Sequence, residues 1–541
     1  MVTLLIPAAF TAPTINYTLL MGFLIVIGAA CVGILVEAFA PRTARLPVQV
    51  GLSVVAIIAA LVSLIWRWGK PGQGLADPVA DTAVTGTVVL DGAAQLLWLL
   101  LLGFGLLSIL VFAERHSGDG KSAFTAMAAA VPGSELEAEA EAARVEHTEV
   151  FPLALFSLSG MLLFVSANNL LVLFVALEIL SLPLYVLSAL ARHKRLASQE
   201  AALKYFLLGA GSSAIFLFGV GLLFGYAGGF GYEQIARAVT FPAERDTLLI
   251  GGLALTAVGL LFKLGAVPFH SWVPDVYEGS PTPVTAFMAV CTKIAAVGGL
   301  LRLFYVAFGG LRWTWQPVMA GVAILTMVVG VVVAIVQTDV KRLLAYSSIV
   351  HAGFILTGVV GALTLQSGLA GGQLGSLGSI VFYLAGYGLA TLGCFTVVGL
   401  VRRQGREATS LAAWAGLGRR YPVLGGVLAI FLLSLAGIPL TAGFVGKLTV
   451  FSAAWRGGYW WLVLVAVVAS LVAVFIYVRV IVVLFFREPS GDDAAEIVPG
   501  GWPAVIVLAV CLVGTLTLGI VPGPISDMIA RAASFVHAML T

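Results

Sequence analysis

The sequence predicts an all-α protein that crosses a lipid bilayer about 14 times. Hydrophobic residues make up 60% of its 541 positions and charged residues only 10%, proportions far from those of soluble globular proteins. Windows of about 20 apolar residues, the length that crosses the hydrocarbon core as a helix, recur along the chain. Because backbone polar groups in lipid must be paired within helices, we expect one helical bundle rather than separate soluble domains.

The predicted spans follow one another with one long interruption. The stretch before the first span has no Lys or Arg, which favours a retained first helix over a cleaved signal peptide. The chain then divides into helices 1 to 3 (1–113), an acidic cytoplasmic insert (114–149), helices 4 to 8 (150–306), helices 9 to 13 (307–488), and a loop with helix 14 (489–541). The spans begin near residues 16, 46, 91, 150, 168, 200, 247, 281, 316, 342, 376, 424, 459 and 503.

The insert alternates glutamate with alanine at Glu135, Glu137, Glu139 and Glu141. This composition is typical of a solvated helix or a flexible insert, and a partner-docking element is the alternative.

The distribution of Lys and Arg predicts the orientation. Loops after odd-numbered spans hold more than twice as many of these cations as loops after even-numbered spans, which places the odd loops in the cytoplasm and both termini outside. The cations assigned to odd loops include Arg192, Lys341 and Arg402, and Arg302 is assigned to an even loop.

The cysteines and the net charge exclude two classes of function. The cysteines lie inside apolar spans without paired spacing, so they are typical of small core residues and offer no metal or iron–sulfur framework. The formal net charge of +3 gives no indication of nucleic-acid binding. The cysteines are Cys31, Cys291, Cys394 and Cys511.

Two spans are interrupted in their apolar interior. Residues 263–270 (Lys-Leu-Gly-Ala-Val-Pro-Phe-His) end the seventh span, and residues 437–443 (Gly-Ile-Pro-Leu-Thr-Ala-Gly) interrupt the twelfth shortly before Lys447. Proline removes a backbone donor and glycine loosens the turn, so both segments favour discontinuous helices 7 and 12. Broken helices at matching places in two halves indicate a transport site, and a structural kink is the alternative.

The ionisable residues suggest a duplication. Three lie in spans 5, 7 and 8, and three lie five spans later, with similar separations. Because five is odd, a duplicated unit of five spans has to be inverted across the membrane. The two sets are Glu178, Lys263 and Lys293, then His351, Lys447 and Arg479.

Several ionisable side chains fall at membrane depth, where a charge is costly and therefore indicates function. At 1.5 Å per helical residue, His351 lies about 15 Å and Lys293 about 14 Å from the nearest flanking cation. Burial disfavours the charged forms of lysine and carboxylic acid, an opposite charge favours them, and histidine titrates near neutrality. We therefore predict a proton relay through Glu178, Lys204, Lys263, Lys293, His351 and Lys447.

Each of these residues also has a structural interpretation. Glu178 could be a static counter-ion for a lysine, Lys293 and Lys447 could anchor hydrated cavities, and His351 could be a hydrogen-bonded core histidine.

Four further residues fit structural roles at least as well. His270, a secondary candidate, could belong to an interfacial turn beside Trp272. Lys204 and Arg479, the other secondary candidate, fit structural or snorkelling roles better. Tyr277 fits an interfacial anchor.

The segment 269–287 (Phe-His-Ser-Trp-Val-Pro-Asp-Val-Tyr-Glu-Gly-Ser-Pro-Thr-Pro-Val-Thr-Ala-Phe), followed by Lys293, closely resembles a signature of a known family. It is similar to the antiporter-like membrane subunits of proton-pumping NADH:quinone oxidoreductase, respiratory complex I. The form of residues 275–284 and the lysine at Lys447 resemble the N branch of this family rather than the L and M branches. Further matching segments are 176–183, 200–206, 337–351 and 437–447.

The resemblance implies that redox chemistry occurs elsewhere. FMN, iron–sulfur clusters, NADH and quinone would be bound by other subunits of the complex, and this chain has no glycine fingerprint for a dinucleotide. Its expected partners are the other membrane-arm subunits, the lipid bilayer and protons, in a bacterial plasma membrane. Glu178, Lys204, Lys263, Lys293, His351 and Lys447 match the family's proton-translocating positions.

Two other functions stay open at this point. A stand-alone or Mrp-type cation/proton antiporter subunit shares lysines at broken helices. A purely structural membrane subunit would not depend on Glu178 or Lys263 for turnover or pumping.

Overall fold

The computed structural model describes most of the chain in eleven ranges. Residues 1–14 and several connecting segments, including Lys121 and residues 143–145 of the insert, lie outside them. The described residues are 15–68, 82–84, 86–115, 122–131, 134–142, 146–192, 194–240, 246–361, 374–488, 495–533 and 535.

Helices dominate the described residues, as predicted for an all-α protein. They are α1 (Tyr17–Phe39), α2 (Arg42–Arg67), α3 (Gly92–Ala113), α4 (Glu135–Ala142), α5 (Val150–Ser166), α6 (Leu170–Ser188), α7 (Arg195–Ala227), α8 (Tyr232–Thr240), α9 (Asp246–Leu264), α10 (Trp272–Gly279), α11 (Thr282–Phe287), α12 (Lys293–Arg302), α13 (Arg312–Ile335), α14 (Val340–Val360), α15 (Ser376–Leu400), α16 (Leu417–Arg420), α17 (Pro422–Ala436), α18 (Ala442–Arg456), α19 (Trp460–Phe486), α20 (Trp502–Ile520) and α21 (Gly523–Ala532).

Five very short strands lie among the described residues. They pair at helix ends: β1 with β2, and β4 with β3 and β3 with β5, all antiparallel. Their bounds are β1 (Thr82–Val84), β2 (Val88–Val89), β3 (Val401–Arg403), β4 (Arg406–Glu407) and β5 (Glu496–Ile497).

The apolar helices coincide with the predicted spans. Within the described residues, 12 helices are long and apolar enough to cross a membrane. Two shorter apolar helices, α5 and α17, occupy the predicted fourth and twelfth positions. The structure is therefore compatible with the predicted 14 spans and identifies a multi-pass membrane protein.

Both predicted helix breaks are present. Helix α9 ends at Leu264, Gly265 adopts a positive φ of 78°, and α10 begins at Trp272. Helix α17 ends at Ala436, Gly437 adopts a positive φ of 84°, and α18 begins at Ala442. A positive φ is the conformation that glycine adopts without the clash a Cβ would cause, so each glycine ends its half-helix.

The lysines sit differently at the two breaks. Lys263 precedes Gly265 in the first half-helix, whereas Lys447 follows Gly437 in the second half-helix. The two breaks correspond to each other, but the two lysines lie on opposite sides of their breaks. The two inverted five-helix repeats therefore stay a prediction.

The centre of the bundle is formed by three segments. The helical segment Thr282–Ala307 is buried along its whole apolar window, and 94% of the apolar window is buried in both α14 and α15. Two π-helical turns, Met288–Thr292 and Leu303–Ala307, flank α12. Such turns often mark functional sites, and the first ends immediately before Lys293.

Part of the acidic insert is packed against the bundle rather than solvated. Arg195 donates hydrogen bonds to Thr125, Met127, Ala128 and Ala130. Among the insert residues that the structure describes, the predicted helical character is present in α4, which is eight residues long. The interpretation of residues 114–149 as a uniformly solvated insert is therefore wrong for 122–131.

Four cations assigned to loops are buried. Arg302 is 0% exposed within α12, and Lys341 is 1% exposed. Arg192 and Arg402 are also buried. A buried cation is tolerated where oxygen atoms accept its hydrogen bonds. Hydropathy does not show these partners, so it assigns the four residues to loops.

Candidate functional site

Lys263 lies at the end of α9 with its ammonium group inside the bundle. Its side chain is buried, and Nζ donates to the Ser181 hydroxyl at 2.9 Å and to the Tyr205 hydroxyl at 3.1 Å. Ser181 comes from α6 and Tyr205 from α7, so three helices position this lysine.

Glu178 lies one helical turn before Ser181 on α6, so the two side chains share a helix face. Its carboxylate is half-buried, and Oε1 has no hydrogen-bond partner among the described residues. The structure thus places Glu178 beside the hydroxyl that accepts from Lys263.

Lys204 joins a cluster of ion pairs at the start of α7. Its side chain is half-exposed, and its Nζ lies 2.7 Å from Glu200 Oε1 and 2.9 Å from Asp275 Oδ2. Arg342 Nη1 lies 2.9 Å from a carboxylate oxygen of Asp275 and 2.9 Å from one of Glu278, and both acids are on α10. These contacts attach the second half of the broken seventh helix to α7 and α14, which supports the structural interpretation of Lys204.

Lys293 lies at the start of α12 and is buried. Its Nζ donates to the Ser348 carbonyl and lies 5.2 Å from the centre of the Tyr387 ring. The Tyr387 hydroxyl donates to the Ser348 hydroxyl at 2.9 Å. Lys293 is thereby connected to the middle of α14.

His351 lies one turn after Ser348 on α14 and is buried. Its Nδ1 shares a short hydrogen bond with the Tyr383 hydroxyl, and its Nε2 lies 3.2 Å from the Tyr477 hydroxyl. The Tyr477 hydroxyl in turn bonds to Ser347. Both ring nitrogens therefore face groups that can donate or accept a proton.

Lys447 lies in α18 and points back at the broken twelfth helix. Its Nζ donates to the carbonyls of Leu435 at 3.0 Å and Ala436 at 2.7 Å, and to the Ser470 hydroxyl at 2.9 Å. These carbonyls belong to the last turn of α17, where the break leaves backbone oxygens without helical partners. The ammonium therefore satisfies the end of the half-helix.

A small cavity lies between His351 and the broken helix. Its water-occupiable volume is about 10 Å³, close to the space needed by one water molecule. His351, Tyr383 and Tyr387 line one side, and Ser434 and Leu435 line the other. Because the Leu435 carbonyl accepts from Lys447, the cavity lies next to both ionisable groups.

The two secondary candidates lie apart from this arrangement. His270 is half-buried in the break after α9, and its Nδ1 has no hydrogen-bond partner among the described residues. Arg479 donates to the carbonyls of Ile335 and Gln337, at the end of α13. Arg479 thus caps a helix.

The sequence interpretation missed the hydroxyl groups that join the ionisable residues. Ser and Tyr are common in membrane helices, so only their hydrogen bonds distinguish those that face the site. Tyr277, interpreted as an interfacial anchor, is only 3% exposed, and that interpretation is wrong. The missed groups are Ser181, Tyr205, Ser347, Ser348, Tyr383, Tyr387, Ser470 and Tyr477.

No metal centre is evident in the described part of the chain. Within those ranges, no three His, Cys, Asp or Glu side chains are grouped so that they could hold a metal ion.

A multi-pass helical bundle with two broken helices and buried lysines beside the breaks defines an antiporter-like membrane protein. The chain belongs to the family described as "NADH:quinone oxidoreductase/Mrp antiporter, TM", which matches residues 167–473. Within it, the chain belongs to the subunit N branch of NADH-quinone oxidoreductase, as its relatives show.

Three relatives named NADH-quinone oxidoreductase subunit N align over nearly the whole chain. The protein of a Nocardioides species is 53% identical, covering 98% of this chain and 100% of the relative. The Rhodococcus opacus protein is 52% identical, covering 98% of both chains. The Cutibacterium acnes protein is 50% identical, covering 97% of this chain and 96% of the relative.

Two solved structures share the fold. A chain of respiratory complex I from Thermus thermophilus with bound aureothin is 32% identical, with a TM-score of 0.73, covering 94% of this chain and 100% of that chain. A chain of the Mrp complex from a Dietzia species has a TM-score of 0.77 at 22% identity, covering 97% of this chain and 98% of that chain. The second likeness concerns the fold alone.

Proposed function

We propose that this chain translocates protons as a non-redox membrane subunit of NADH:quinone oxidoreductase. The observation that carries the proposal is a series of ionisable side chains inside the bundle: Glu178 and Lys263 lie beside Ser181, and Lys293, His351 and Lys447 lie around Tyr387 and one small cavity. The series comprises Glu178, Lys263, Lys293, His351 and Lys447.

The lysines are held by neutral oxygens. Lys263 bonds to two hydroxyls, Lys293 to a carbonyl, and Lys447 to two carbonyls and a hydroxyl. Within the described residues, no carboxylate lies within ion-pair distance of these three ammonium groups. A buried ammonium without a paired carboxylate loses much of the attraction that would fix its proton, so it can release and regain one.

Hydroxyl groups and the imidazole would provide the steps between Lys293 and Lys447. A serine or tyrosine hydroxyl can donate and accept at once, which a carbonyl cannot do. The two nitrogens of His351 face different tyrosines, so the ring can accept a proton on one side and release it on the other. The cavity beside Leu435 offers room for a water molecule between His351 and Lys447.

Glu178 would act on this series electrostatically. Its carboxylate adjoins Ser181, so loss or gain of its proton changes the charge felt by Lys263. Lys204 would position α10 through Asp275 and so hold the break at which Lys263 lies. Both roles rest on placement within the fold.

The partners follow from the same proposal. FMN, iron–sulfur clusters, NADH and quinone would be bound by other subunits of the complex, and this chain would receive the released energy as an electrostatic or conformational signal. Its neighbours would be other membrane-arm subunits in a bacterial plasma membrane, with its N-terminus outside.

The test is the Lys263→Met variant of the assembled complex in sealed liposomes. We expect the complex to assemble and oxidise NADH, while proton uptake coupled to that oxidation is lost or strongly reduced. Arg237→Met, which removes an exposed cation on α8, is the control and should pump normally. Normal pumping by an assembled Lys263→Met complex would contradict the proposal.

The fold shared with the Dietzia Mrp chain favours a second candidate, an antiporter subunit that exchanges a cation for protons. The full chain purified alone and reconstituted in liposomes distinguishes the two. Sodium- or potassium-driven proton movement by the isolated chain would favour the antiporter, and its absence with pumping in the complex favours the main proposal.

A further inference from the structure

One cavity among the described residues lies away from the buried lysines. Its volume is about 400 Å³. It lies where α7 begins, α10 ends and α15 passes into the β3–β4 hairpin, so it is at one end of the bundle. We call it the basic cavity, lined by Arg192, Lys194, Arg402 and Arg406 with Glu278, Glu407 and Ser280.

Positive charge exceeds negative charge in the basic cavity. Four of its lining residues are Lys or Arg and two are Glu. Both carboxylates already face cations outside the lining: Glu278 lies 2.9 Å from Arg342, and Glu407 lies 3.8 Å from Lys341. Within the lining, Arg402 Nη1 also lies 3.9 Å from Glu407 Oε1. Cations still outnumber carboxylates in the lining, and a concave surface with excess positive charge concentrates anions.

A buried hydroxyl also lacks a partner there. Ser280 is 1% exposed, and its Oγ has no hydrogen-bond partner among the described residues. Its carbonyl accepts from Lys341 at 2.7 Å, which fixes the serine in place. Buried polar groups in folded proteins are nearly always hydrogen-bonded, so this hydroxyl indicates a missing ligand atom.

The hairpin presents its cations rigidly. Gln404 and Gly405 have φ values of 50° and 75°, which form the tight two-residue turn favoured between antiparallel strands. Arg402 pairs with Glu407 across the ladder. Arg406 follows the turn directly and lines the cavity.

We propose that the basic cavity binds a phosphate group, supplied by the headgroup of an anionic phospholipid. Arginine and lysine recognise phosphate through charge-assisted hydrogen bonds, and Ser280 would donate a further bond. The position at the end of the bundle is where headgroups lie, and basic pockets between membrane helices are typical headgroup sites. Inorganic phosphate offers the same chemistry from a soluble source.

The test measures lipid binding to the full-length chain in detergent by native mass spectrometry. Phosphatidylglycerol is compared with phosphatidylcholine, and inorganic phosphate is added as a competitor. We expect a preference for phosphatidylglycerol that falls about fivefold for each cation removed, or roughly 30-fold in the K194Q/R406Q double variant. Both residues are exposed, so the double variant is expected to fold.

Arg403→Gln is the matched control, because Arg403 carries the same charge on the same hairpin without lining the cavity. Retained preference in this variant and loss in K194Q/R406Q supports the site. Competition by millimolar inorganic phosphate supports the phosphate chemistry with a soluble source. Equal phosphatidylglycerol binding by the wild type and K194Q/R406Q overturns the proposal. Unchanged lipid binding with reduced proton pumping in the double variant also overturns the proposal, because the cavity would then be a water-filled entrance for protons.

Discussion

Arg302 and Asp91 form a salt bridge that is shielded from solvent, with 0% and 1% of their side chains exposed. Arg302 Nη1 donates to Asp91 Oδ2 at 2.9 Å and Nη2 donates to Oδ1 at 2.5 Å. Asp91 also caps α3 by accepting from the Ala94 amide at 3.0 Å. The pair therefore joins the N-terminal helices to α12, which carries Lys293.

We predict that Asp91→Leu lowers the free energy of unfolding by about 3–5 kcal/mol, because it leaves the Arg302 charge buried without its counter-charge. Thermal unfolding of the full chain in detergent measures the change. The double variant Asp91→Leu/Arg302→Met removes both charges and should recover most of the loss.

An exposed pair serves as the control for this prediction. Arg237 and Glu233 form an ion pair on α8 with 66% and 41% of their side chains exposed. Arg237→Gln should change stability by less than about 0.5 kcal/mol. If Asp91→Leu and Arg237→Gln lower the free energy of unfolding by similar amounts, the buried pair contributes no more to stability than an exposed one.

The second break depends on a close approach of two half-helices. A Cβ at Gly443 would lie 1.8 Å from the Ser434 carbonyl oxygen. Gly443→Ala should therefore separate α17 from α18, lower stability by about 1–3 kcal/mol and reduce pumping by displacing Lys447. Thermal unfolding and pumping assays measure both effects.

Gly426→Ala on the same broken helix is the matched control. A Cβ there meets nothing within 4 Å, so alanine should stabilise the helix by roughly 0.5–1 kcal/mol. If Gly443→Ala is as well tolerated as Gly426→Ala, the close approach at the break contributes neither to stability nor to pumping.

The hydroxyl of Tyr477 should matter for proton movement more than for stability. Tyr477→Phe removes the hydroxyl that faces His351 Nε2. It should lower the free energy of unfolding by about 1 kcal/mol. We expect slower proton uptake per NADH oxidised in liposomes. Tyr226→Phe, which removes a hydroxyl bonded to the Ala238 carbonyl at 3.0 Å, is the control and should pump normally.

Acid should release part of the insert from the bundle. His147 Nδ1 lies 3.0 Å from Glu149, and its Nε2 accepts from the Ala128 amide at 2.8 Å. The His147 hydrogen bond holds the pKa of the Glu149 carboxyl below its usual range. Because the folded-state pKa is depressed, this interaction stabilises above the ordinary carboxyl pKa and is lost as the pH falls through the folded-state pKa.

Hydrogen exchange of the Ala128 amide tests this prediction. After correction for the intrinsic effect of pH, its protection should fall as the pH drops through the folded-state pKa of Glu149, because the protonated carboxyl no longer holds the His147 ring that accepts from the Ala128 amide. Glu149→Gln should reduce protection already at neutral pH. Protection that is independent of pH in both proteins would refute the role of the His147 and Glu149 contact.

Much of the architecture could be predicted from sequence because it depends on local properties. Apolar windows locate the helices, and the glycines and prolines at 265–268 and 437–439 locate the breaks. Lys263, Lys293, His351 and Lys447 could be identified since a charge in an apolar stretch stands out.

The rest depends on contacts between distant segments. Asp91 and Arg302 are far apart in sequence, and each alone is compatible with a loop. The hydroxyls of Tyr383 and Tyr477 matter only because α15 and α19 bring them to His351. The sequence favours a structural or snorkelling role for Lys204, but its partner Asp275 could not be predicted, because Asp275 lies beyond a helix break.

Proton conduction by the buried series is tested most directly at His351, because this residue lies between Lys293 and Lys447. The measurement is the number of protons moved per NADH oxidised by the assembled His351→Leu complex in sealed liposomes. We expect this ratio to fall to the value for a complex in which this chain moves no protons, with assembly retained. A ratio equal to that of the wild type would contradict proton conduction through His351.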